Sequence, residues 1–115
     1  MEITSRIDGD LVHLRVVGSL DASTSPNVEE AVNAAIGGGR RSVIFDLQEL
    51  NYISSAGLRA LLLAAKKAKA AGGGVAVFGL QPAVTEVFTI AGFGKIVSIA
   101  SNDADARDKL SGQRG

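Results

Sequence analysis

"RSVIFDLQELNYISSAGLRALLLAAKKAKAAGGGVAVFGL", Arg41 to Leu80, sets a helical pattern between two apolar runs of strand length. "RSVIFDL" reads as a strand and "QELNY" as the turn after it. From Ser54 onward Leu58, Leu61, Leu62, Ala65 and Ala68 recur at the spacing of one helix face and are expected to meet a core. Lys66, Lys67 and Lys69 are expected to face water near the helix's C-terminal end, which favours cations. Gly72 to Gly74 stop that helix, and "GVAVFGL" follows as a second buried strand. A strand, a helix and another strand in succession imply parallel pairing, which places the chain in the α/β class.

On the N-terminal side, Ile3, Ser5 and Ile7 alternate with polar residues up to "DGD", and "LVHLRVVG" alternates again. Asp-Gly favours a tight turn, so a β-hairpin is expected. A helix is then expected from Ser25 and Pro26, with Glu29 and Glu30 in its first turn and Val28, Ala31, Val32, Ala35 and Ile36 on its apolar face. On the C-terminal side, "PAVTEVFTIAG" predicts a short helix with Val84, Val87, Phe88 and Ala91 inward and Gly92 as its stop. "KIVSI" predicts a last strand, and Asn102 to Leu110 a polar terminal helix. The expected architecture is a mixed β-sheet with an N-terminal hairpin and helices packed against it, in the order ββαβαβαβα.

The 115 residues suit one domain, expected over 1–110, with 111–115 as a frayed tail. Twelve basic and twelve acidic residues cancel, and aromatics make up 4%. Neither a field nor a stacking surface for nucleic acid is therefore expected. Without cysteine there is no disulfide framework, thiolate metal site or cysteine nucleophile. The N-terminal residues lack an apolar signal core, and the longest apolar run, Ala60 to Ala65, is too short to span a bilayer. A cytoplasmic protein without membrane insertion is expected.

Few side chains could assemble a catalytic constellation, and no cofactor is expected. His13 alternates with Val12 and Leu14 and reads as a solvent-facing structural histidine. "SSAG" lacks the glycine two residues before its serine that a hydrolase elbow needs, and no second histidine could serve as base. Asp46 ends a strand as the phosphoacceptor of a receiver domain does, but Asp8 and Asp10 lie in the hairpin turn and Lys95 precedes the last strand. Neither glycine triplet continues as a P-loop. Ser54 and Ser55 remain, where a serine oxygen can cap the unpaired N–H groups of the helix. Ala56 and Gly57 leave that first turn nearly bare, so close approach by a partner's backbone or a phosphate is expected at Gly57.

"DLQELNYISSAGLRALL" resembles the signature segment of the anti-anti-sigma factors, the STAS-domain proteins of bacterial partner-switching systems. "GSLD", Gly18 to Asp21, resembles the family's Gly-x-Leu-Asp turn, and "AVTEVFTIAGFGKIVSI" its penultimate helix and last strand. The resemblance implies a STAS-like fold and an anti-sigma factor antagonist without catalysis of its own. It implies binding to an anti-sigma factor that is also a GHKL-type serine kinase, inactivation by phosphorylation, and restoration by a serine phosphatase. Matching Asp-Ser-x-Gly of the family to Ser54-Ser55-Ala56-Gly57 implies that Ser55 is the phosphoacceptor and that these four residues form the partner surface, with Ser54 in place of the frequent aspartate. Asp21 is implied as a partner contact, and a turn or cap role for it is equally open. The alternative within the same fold is a non-phosphorylated STAS docking subunit of a lipid-transport complex or signalling scaffold.

Overall fold

The computed structural model describes residues 2–113. A hairpin of β1 (Glu2–Asp8) and β2 (Leu11–Leu20) leads into α1 (Ser25–Gly37). Then come β3 (Ser42–Asp46), β4 (Leu50–Ile53), α2 (Ser55–Ala70), β5 (Val75–Phe78) and α3 (Pro82–Ile90). A single 3-10 turn, Phe93–Lys95, precedes β6 (Ser98–Ala100) and α4 (Asp103–Gln113). The sheet runs β1-β2-β3-β5-β6, antiparallel in the hairpin and parallel elsewhere, with β4 beside the far end of β2. The expected α/β order holds, with one short strand added.

That strand is β4, where a turn was expected. Leu50 and Ile53 are buried while Asn51 and Tyr52 are exposed, so four residues carry too little periodicity to announce a strand. Its partner is the last part of β2: Leu11 to Arg15 pair with β3, and Gly18 to Leu20 pair with β4 after a register shift. Gly18 makes the change of partner possible. Its φ of 101° lies in the region open to glycine, and its N–H donates to the Glu49 carbonyl at 2.9 Å.

α1 and α2 cover one face of the sheet. Val28 and Val32 of α1 and Leu61, Ala64, Ala65 and Ala68 of α2 pack with Val12, Leu14, Val43, Phe45 and Val77. The inward face of α2 also includes Gly57 and Ala60, and Leu58 and Leu62 pack against the same core while half-buried. Glu29 and Glu30 fall beyond the first turn of α1. In α3, Val84 and Phe88 are buried and Val87 is half-buried, but Ala91 is exposed because the helix has ended at Ile90. The last strand is shorter and later than "KIVSI" suggests, because residues 93–95 are held as a 3-10 turn with the Phe93 ring 5.0 Å from that of Phe88 and tilted by 60°.

The other face of the sheet is covered by α4. Ala106 and Leu110 pack on Ile44, Ala76, Phe78 and Ala100. One expectation is corrected here. His13 is half-buried, not solvent-facing, because α4 lies over it: its Nε2 is 3.4 Å from Asp103 and its ring is 6.0 Å from that of Phe78. Helix α4 runs to Gln113, and 114 and 115, part of the expected frayed tail, lie outside the described residues.

Candidate functional site at the start of helix α2

Leu20 ends β2 and Ile53 ends β4, and the two are register partners in a parallel pair. The residues that follow, Asp21 and Ser54, therefore emerge side by side at the carboxyl edge of the sheet, where α/β folds gather ligands and partners. The Ser54 N–H donates to the Leu20 carbonyl at 2.9 Å, tying the two segments together.

The two serines have different tasks. Ser54 is extended, at φ −97° and ψ 176°, and its hydroxyl accepts from the Gly57 N–H at 3.3 Å. It is the N-cap. Ser55 is the first helical residue, is exposed, and has no hydrogen-bond partner for its hydroxyl among the described residues. Ala56, beside it, is half-buried.

Gly57 is also required by a contact inside the molecule. It is buried, and a Cβ there would lie 2.6 Å from the Leu20 carbonyl oxygen and 2.8 Å from Ile53 Cγ1. Real Cβ atoms do not come so close. A close approach that requires glycine comes from strand β2 inside the molecule, so Gly57 sets the height of α2 over the sheet.

Asp21 organises the neighbouring loop. Its carboxylate accepts from the Ser23 N–H at 2.9 Å, the Ser23 hydroxyl at 2.7 Å and the Thr24 hydroxyl at 3.3 Å. The Ser23 bonds chiefly hold its pKa below the usual carboxylate range. Thr24 also donates to the Ser19 carbonyl at 3.0 Å, which locks the loop between β2 and α1. The turn role is thus filled by this carboxylate, on a half-buried residue.

The carboxylates considered for a receiver-type centre are spread apart. Asp46 accepts from the backbone and side-chain amides of Gln48, both at 3.1 Å, at the carboxyl end of β3. Asp8 and Asp10 lie at the opposite end of the sheet, paired with Arg107 and Arg41. Four strand residues separate the two ends, roughly 13 Å at about 3.3 Å per residue. Among the described residues, no helix is long and apolar enough to cross a membrane.

Residues 2–106 match the family model of the STAS domain. BtrV of Bordetella bronchiseptica is 38% identical over 103 residues, which are 89% of this chain and 88% of BtrV. The anti-sigma-B factor antagonist of Listeria monocytogenes is 30% identical over 105 residues, 91% of each chain. Among solved structures, the anti-sigma factor antagonist SpoIIAA in its unphosphorylated form shares the fold with a TM-score of 0.82 at 22% identity, over 96% of this chain and 97% of that one. Bacillus SpoIIAA in its phosphorylated form superposes with a TM-score of 0.73 at 20% identity, over 95% and 99%.

Proposed function

This chain belongs to the STAS domain family, and from that premise we propose that it is an anti-sigma factor antagonist switched off by phosphorylation of Ser55. In this reading the unmodified protein holds an anti-sigma factor with serine-kinase activity, and sigma-factor-dependent transcription proceeds. Transfer of the ATP γ-phosphoryl group to Ser55 Oγ releases ADP and the hydroxyl proton, and the partner dissociates. A serine phosphatase reverses the change by hydrolysis. The protein acts in the cytoplasm as a regulatory binder and substrate, with no catalysis of its own.

The observation that carries this is the division of labour between the serines. Ser54 caps the helix, so the fold does not depend on the Ser55 hydroxyl, which stands exposed in the first turn. A phosphate adds roughly −1.5 to −2 charges, and the N-terminal turn of a helix tolerates them. A partner packed over Ser55 and Ala56, with Asp21 at the rim, does not tolerate a dianion at its centre.

The test uses the cognate anti-sigma factor kinase, with calorimetry for binding and peptide mass spectrometry after incubation with Mg-ATP. Ser55→Ala binds and takes no phosphate. Ser55→Asp folds at least as well as the wild type and binds more weakly. Ser54→Ala still accepts phosphate at Ser55 but loses about 1 kcal/mol of stability with its cap. Undiminished binding by Ser55→Asp, together with no phosphate on either serine, would leave a constant docking surface as the better account.

A further inference from the structure

Arg59 follows Ser55 by four residues within α2, and both are exposed. Residues so spaced are neighbours on one helix face, with about 5–6 Å between their Cβ atoms. Three arginines have carboxylates beside them, Arg15 with Glu49, Arg41 with Asp10, and Arg107 with Asp8 and Asp103, while no ion pair joins Arg6 or Arg40 to a carboxylate among the described residues. Arg59 has no ion-pair partner among the described residues. The next cation along α2 is Lys66, almost two turns further on.

We propose that Arg59 is the counter-ion built into the helix for a phosphate on Ser55. The inference rests on the reading of Ser55 as phosphoacceptor and adds a residue to the switch. An anion four residues before a cation is the favourable order on a helix, because it agrees with the helix dipole. A guanidinium can grip two phosphate oxygens at once, which an ammonium cannot. Before modification, Arg59 presents a free positive charge on the docking face. After modification it turns back along the helix to the phosphate, and the partner loses a cation as well as meeting an anion. One phosphoryl group therefore alters two features of the surface.

The experiment installs phosphoserine at position 55 during translation, so no kinase is needed, and follows the phosphate by phosphorus NMR between pH 4 and 8.5. A free phosphoserine titrates near pH 6. The second phosphate pKa in the otherwise wild-type protein is expected to lie about half a unit below that in Arg59→Gln, as a partly solvated counter-ion should produce. Arg59→Lys should recover part of the shift, and 1 M salt should erase most of it. Equal titration of the wild-type and Arg59→Gln phosphoproteins, both folded by circular dichroism, would overturn the proposal. Failure of the kinase to modify Ser55 would instead defeat the functional reading, and this titration would not register it.

Discussion

A methyl group on Gly57 would collide with the Leu20 carbonyl and the Ile53 side chain at 2.6 and 2.8 Å, yet alanine is the better helix former by about 1 kcal/mol. Propensity and packing therefore predict opposite signs for Gly57→Ala. Packing should win, because the nearest atom is a backbone carbonyl oxygen of β2 that already accepts from the Ser54 N–H at 2.9 Å, beside the pairing with β4, and cannot yield cheaply. The variant is expected to lose about 1–3 kcal/mol, the usual cost of overfilling a packed site, read as a lowered urea midpoint at unchanged slope. The same residue shows the limit of the sequence at this scale. A bare first turn was legible, and so was the pair of serines. What was illegible was the direction from which the bare turn is approached, since Leu20 lies 37 residues away and reaches Gly57 only through the pairing of β2 with β4.

Helix α4 and strand β2 meet through His13, and this contact makes the helix sensitive to pH. Burial beneath α4 lowers the His13 pKa below its usual 6.5, with Asp103 opposing that shift most strongly. Arg6 and Arg107 add to the lowering, and Asp46 adds to the opposition. A lowered histidine pKa means that the unfolded chain binds more protons than the folded one in the interval between the two values. Stability from this source is complete above about pH 6.5 and is lost as pH falls through the interval. Subtracting the pH profile of His13→Gln from that of the wild type, by urea unfolding between pH 5 and 7.5, should isolate a loss on the acid side. A flat difference would show that α4 leaves the imidazole as wet as in the unfolded chain. The alternation of β2 correctly turned His13 away from Val12 and Leu14. It could not say that the second face of the sheet is covered, because α4 buries little more than Ala106 and Leu110 and its polar sequence carries almost no apolar stripe.

At the scale of the molecule, the question is whether two unequal cores behave as one. The larger lies under α1 and α2, and the smaller under α4. Alternate residues of the same strands feed both: Val43 and Phe45 point one way and Ile44 the other, as do Val75 and Val77 against Ala76 and Phe78. Removing α4 would expose the second face of β3 and β5, the strands that also floor the larger core, so neither layer should melt without the other. Hence residues 2–113 are expected to unfold as one domain. Leu110, 3% exposed, is the test site. Leu110→Ala should cost about 2–3 kcal/mol, the low end for leucine truncation, because a peripheral helix can settle into part of the space. Tyr52, the single tyrosine, stands on β4 just before Ser54 and Ser55 and far along the chain from α4. If the cores are coupled, its fluorescence and the helical circular dichroism should shift together to a lower midpoint in the variant. Loss of helical signal ahead of the tyrosine transition would show that α4 melts as a unit of its own, and the single-domain expectation would fail.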